Sequence, residues 1–231
     1  MPATWLITLA WATLGIAFVS DAWILFDIYG RGYRQRMPVM EAVWPVTALY
    51  FGPLAVWAYH RYGRPTSPRW LHEHGLDDPP DKPHWATIAV GVSHCGAGCT
   101  LGDIAAEFAV FGLALTVAGT ALPFEYAGDY VLAVALGLLF QYFAIAPMRG
   151  LGVRDGLKAA AKADILSLTA FEVGLFGWMA LMAFVFFPAP HHLMPDSPVY
   201  WFLMQLGMII GFATAWPANV WLINRGIKEA M

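Results

Sequence analysis

Six stretches of the chain are nearly free of charge and long enough to cross a bilayer: about 4–28, 38–59, 85–119, 128–147, 163–187 and 199–223. Roughly 20 mainly apolar residues in a helix span about 30 Å of hydrocarbon. Helices are the open-ended element that can do so, because lipid offers no partner to a bare N–H or C=O. The pattern predicts an all-α fold, a polytopic transmembrane helical bundle of about six spans. No Lys or Arg precedes the first stretch, and its length of about 25 residues exceeds the apolar core of a signal peptide. It is expected to be retained as a span. The third stretch is unusual: its 35 residues would make a helix about 52 Å long. It is expected to cross once, with an extended or broken cytoplasmic half.

Composition supports this class. Of 231 residues, 59% are hydrophobic and 13% charged, and the mean hydropathy is +0.56. An average soluble domain has about 25% charged and about 45–50% apolar residues. Disorder is excluded by the apolar content, and a disulfide-stapled secreted module by having two cysteines. With 13 basic against 16 acidic residues and no basic face, nucleic acid is not expected as a partner. Basic residues concentrate in three segments: Arg61, Arg64, Arg69 and Lys82; Arg149, Arg154, Lys158 and Lys162; and Arg225 with Lys228. The connections 120–127 and 188–198 have none. Cytoplasmic segments carry the Lys/Arg excess, so the chain is expected in the inner (plasma) membrane with both termini cytoplasmic. Arg31, Arg34 and Arg36 then fall on the outer side, against that rule. Residues 61–84 read as a cytoplasmic linker between an N-terminal helix pair, 1–60, and a four-helix domain, 85–231.

One segment breaks the apolar texture: Gly91-Val-Ser-His94-Cys95-Gly96-Ala-Gly98-Cys99-Thr-Leu-Gly102-Asp103-Ile-Ala-Ala-Glu107. Ionisable groups inside a membrane are costly against lipid and usually face the bundle interior, where they mark function. Cys95, Cys99, Asp103 and Glu107 recur at i, i+4 and form one slowly winding stripe. His94 lies about 100° round the helix from Cys95, so it joins both thiols only if the helix opens at Gly96 and Gly98. Gly98-x-x-x-Gly102 fits close helix packing equally well, and a buried cysteine fits a small hydrophobe. The fifth span contributes Asp164, level with His94 and Cys95, and Glu172 about 12 Å deeper, near Asp103 and Glu107. Lys162 beside Asp164 offers an interfacial ion pair instead.

The candidate metal ligands are thus His94, Cys95, Cys99, Asp103, Glu107, Asp164 and Glu172. Thiolate and thioether donors suit copper, and mixed Cys/His/carboxylate sets suit zinc. Further polar or sulfur positions are Asp21, Gln141, Met148, Arg149, Met179, Met182, Met204, Met208 and Asn219. The outer connection His191-His192-Leu-Met194-Pro-Asp196 reads as a solvated loop or a metal-capturing one. No phosphate loop or nucleophile elbow is present, and His60 is the sole possible haem partner for His94. No catalytic residue is assigned.

Ser93-His-Cys-Gly-Ala-Gly-Cys-Thr-Leu-Gly-Asp103, with Pro147-Met-Arg-Gly-Leu-Gly152, Lys162-Ala-Asp164 and Phe171-Glu172, resembles the prokaryotic membrane proteins grouped as domain of unknown function 4396. The resemblance covers about 85–226 and implies a helical integral membrane domain without an assigned activity. It supports the choice of His94, Cys95, Cys99, Asp103, Asp164 and Glu172. Four functions are compatible with the residues. The first is an intramembrane site that binds or moves copper or zinc, and the second a transporter for a small solute or protons. The others are an accessory subunit of a larger membrane complex and a thiol redox enzyme using Cys95 and Cys99. The expected partners are the lipid bilayer and a metal ion or small solute, with a homo-oligomer or larger assembly open.

Overall fold

A computed structural model describes residues 2–228, apart from the side chains of residues 145–149. The expected contributions of Met148 and Arg149 therefore lie outside the described side chains. The described residues form helices and no strand. α1 is Thr4–Leu25, prolonged by a π-turn at Phe26–Gly30. α2 is Met40–Phe51, and α3, Pro53–Ala58, runs into a π-turn at Tyr59–Gly63. The short α4 is Pro68–His74. The remaining helices are α5 His84–Gly112, α6 Leu122–Arg149, α7 Val153–Leu181 with a terminal π-turn, and α8 Pro198–Asn224.

Five helices are long and apolar enough to cross a membrane: Thr4–Gly30, His84–Gly112, Leu122–Ala144, Val153–Phe186 and Pro198–Asn224. The expected second span is not among them, because it folds back on itself. Gly52 has φ 53° and ψ −128°, a conformation that side chains other than glycine's resist, and Pro53 then starts α3. The two arms pack side by side. The Trp44 and Tyr59 rings are 5.9 Å apart, and a Cβ on Gly63 would meet the Trp44 indole. At the open end, Tyr59 Oη donates to Asp27 at 2.9 Å and Trp23 Nε1 donates to His60 Nε2 at 3.1 Å, both near the C-terminal end of α1. The tip at Gly52 rests on Ile16 and Ser20, in the middle of α1. Among the described residues, five helices are thus long and apolar enough to span, and the expected second span is a hairpin of two shorter helices.

A helix end inside a bundle needs partners for its bare carbonyls. Gln205 Nε2 supplies one by donating to Leu49 O at 2.7 Å.

Because the hairpin returns, residues 31–39 lie against residues 64–78. Arg36 contacts Asp77 O at 2.8 Å and Asp78 at 3.4 Å. Tyr33 donates to Glu73 at 3.0 Å, and the Arg64 guanidinium stacks 3.7 Å from the Tyr33 ring. Arg69 and Tyr33 hold the exposed Glu73 carboxyl below its ordinary range. The three arginines that broke the charge rule thus share one end with Arg61, Arg64, Arg69 and Lys82. The α6–α7 connection and the tail reach the same end, since Lys228 bonds to Gly91 and Asp164. All thirteen Lys and Arg of the chain belong to segments at this basic end.

α5 is unbroken across Gly96 and Gly98, so the expected opening of its cytoplasmic half does not occur. The glycines serve packing instead. A Cβ on Gly98 or Gly102 would fall 2.7 Å from Gly137 Cα or 2.5 Å from Ala133 N, so the α5 and α6 backbones touch there. The surplus length of the third stretch is spent beyond Gly112, in the irregular connection to α6.

Candidate functional site

Polar side chains run in file along the inner faces of α5, α6, α7 and α8. At the basic end, Lys228 Nζ lies 2.7 Å from Asp164 Oδ1 and 3.1 Å from Gly91 O, and both side chains are fully buried. Burial works against the lysine's charge, and the Asp164 carboxylate outweighs it, holding Lys228 above its ordinary range. Lys162, the partner suggested by proximity in sequence, is exposed instead.

The next layer joins three helices. Cys95 Sγ lies 2.8 Å from Ser167 Oγ, and Asn219 Nδ2 donates to that hydroxyl and to Ala215 O. One turn further along α5, the buried Cys99 stands beside Glu172. Both thiols are free.

Beyond the thiols the file is acidic. Asp103 is within electrostatic reach of Glu172, Asp129 and Glu107. Glu107 stands beside Asp129 and Tyr200, with Glu125 next. Asp103, Glu107, Asp129 and Glu172 are at most 1% exposed. None of their eight carboxyl oxygens has a hydrogen-bond partner among the described residues. The file ends at a cavity of 200 Å³, whose walls include Glu125 and Tyr200. A second cavity, 410 Å³ and almost wholly apolar, lies beyond the hairpin tip between α1, α5 and α8.

The structure thus brings together Cys95, Cys99, Asp103, Glu107 and Glu172, with Asp164 at the inner end. His94 stands apart. Its ring faces α6, with its centroid 6.4 Å from that of Phe140. The register that sets Gly98 on Gly137 places Gln141 opposite it. Among the described residues, neither ring nitrogen has a partner, nor does the Gln141 amide. Among the described residues, no three His, Cys, Asp or Glu side chains converge closely enough to hold a metal ion. Asp21 is half-buried on α1, and Met204 and Met208 line the apolar cavity.

Sequence reasoning missed Glu125, Asp129, Tyr200 and the role of Lys228. The signal for the first two was present as an i, i+4 acid pair. A fourth span beginning at about 128 leaves Glu125 outside it and Asp129 at its edge, whereas α6 begins at Leu122 and carries both. Lys228 read as a marker of topology.

A family model described as Domain of unknown function (DUF4396) matches residues 84–228, from the first residue of α5 to Lys228. No curated protein and no solved structure matches the chain.

Proposed function

The chain belongs to this family, whose description assigns no activity, and we propose that it is a membrane transporter moving protons or proton-coupled cations along the acidic file. The observation that carries the reading is the set of four buried carboxyl groups on three helices, Asp103 and Glu107, Asp129, and Glu172, without hydrogen-bond partners among the described residues. Four charges in one low-dielectric cluster repel one another and lose hydration. The file is therefore comfortable only when protons or a bound cation neutralise most of it. Neighbouring acids that share protons titrate as a group, and intramembrane chains of this kind mark proton and ion pathways. Lys228 at the inner end places a fixed positive charge across the route, which opposes free leakage of cations.

The orientation follows from charge. With all thirteen basic residues at one end, that end is assigned to the cytoplasm. The C-terminus is then cytoplasmic, while the start of α1 and the cavity at Glu125 face the outer side of the inner (plasma) membrane. This removes the conflict at Arg31, Arg34 and Arg36.

The test is proton flux into proteoliposomes under an imposed membrane potential, followed with a trapped pH dye. Glu172→Gln keeps shape and removes the titrating group, and flux is expected to drop at least about 100-fold, the lower end of what a proton-transferring group contributes. Asp103→Asn is expected to behave alike, and Asp21→Asn to leave flux unchanged. Wild-type liposomes no leakier than empty ones, or full flux in Glu172→Gln, would overturn the proposal.

A further inference from the structure

The acidic file ends in a cavity whose walls are rich in sulfur. Met179 and Met182 reach it from the last turns of α7, and His192 and Met194 from the connection to α8. We infer that this cavity captures a soft monovalent metal ion, copper(I) or silver(I), on the thioethers of Met179, Met182 and Met194 with the His192 imidazole. The inference rests on the transporter reading and names the cargo of that same pathway.

Three observations support it. Methionines ordinarily fill gaps in a core, yet here three of them border a 200 Å³ void, large enough for an ion and several waters. Thioether and imidazole donors select soft ions, whereas hard divalent ions require oxygen ligands, and among the described residues of the wall Glu125 is the one carboxylate. Tyr200 is 5% exposed and lines the same cavity, and its hydroxyl has no hydrogen-bond partner among the described residues.

The chemistry also suits the position. A thioether has no proton to lose, so capture proceeds without the proton release that thiol or carboxyl ligands demand. Sulfur donors recur deeper in the file at Cys99 and Cys95, which gives a soft ion a graded series of partners past the carboxyl groups.

The experiment uses the full chain in detergent with Cys95→Ala/Cys99→Ala, so that every remaining sulfur is a thioether. Copper(I) is titrated anaerobically against a chromophoric chelator, and the bound form is examined by X-ray absorption. One copper(I) per chain with sulfur scatterers is expected. Met179→Leu/Met182→Leu/Met194→Leu removes three ligands and should weaken binding by more than about 100-fold, since loss of an outer-shell partner alone costs about 10–100-fold, while Met204→Leu/Met208→Leu changes nothing. Absence of copper(I) binding, unchanged affinity in the triple variant, or equal affinity for zinc(II) would overturn the inference. Binding that persists in a protein without proton flux would overturn the transporter reading alone. Flux without binding would overturn this inference alone.

Discussion

Removal of Lys228 probes the most deeply buried charge pair among the described residues. Its ammonium lies 2.7 Å from Asp164 Oδ1, with both side chains fully excluded from solvent. At an effective dielectric of about 20, two unit charges at that distance attract by about 6 kcal/mol. Taking each ion out of water costs several kcal/mol, so the pair as a whole is close to neutral for stability. The asymmetry lies in breaking it. Lys228→Met leaves Asp164 buried without its counter-ion, and its Oδ2 already has no partner among the described residues; the cost is about 3–5 kcal/mol. Asp164→Asn strands the ammonium at a similar cost. Thermal unfolding in detergent, followed through the tryptophan fluorescence, should show each single variant melting roughly 6–20 °C lower, at about 2–4 °C per kcal/mol for a chain of this size. Asp164→Asn/Lys228→Met removes both charges and should recover most of the loss. A double variant that falls by the sum of the two singles would refute the buried pair, because independent sites add and coupled ones do not.

Two further outcomes test the packing and the hairpin. Gly102→Ala would set a methyl 2.5 Å from the Ala133 backbone nitrogen and should cost more than the roughly 1–3 kcal/mol of ordinary overpacking; Gly112→Ala, with open space around it, should be neutral or slightly stabilising. Equal melting temperatures for the two would contradict the α5/α6 contact. In a cysteine-free background, Pro38→Cys and Leu76→Cys should react with an impermeant maleimide from the same side of the membrane, and Thr4→Cys from the other. Labelling of positions 38 and 76 from opposite sides would restore a full second span and remove the hairpin.

Much of the architecture was legible because bilayers are a severe solvent. A chain must satisfy its own backbone in lipid, so long uncharged stretches can mean little except spanning helices, and five of the six expected stretches form helices long and apolar enough to span. The sixth has the same apolar texture and differs at one dipeptide, Gly52-Pro53. That pair permits a straight helix with a kink as readily as a reversal, and the choice rests on contacts made elsewhere, of Tyr59 with Asp27 and of Trp44 with Gly63. The distribution of Arg31, Arg34 and Arg36 carried a warning, since a strict alternation of six spans put them on the wrong side.

The amino-acid order by itself determined that this is a helical membrane protein, and that Cys95, Cys99, Asp103 and Glu107 share a stripe. Helical periodicity and hydropathy are local properties, readable without knowing any neighbour. Only the tertiary structure decided what that stripe faces: Ser167 and Asn219 at one thiol, Glu172 at the other, and Asp129, Tyr200 and Glu125 toward the far cavity. It also decided that Lys228, 64 residues beyond Asp164, is that acid's partner. Such pairings depend on which helices adjoin and in what register, and the register between α5 and α6 is set by glycines whose lack of a side chain lets two backbones touch.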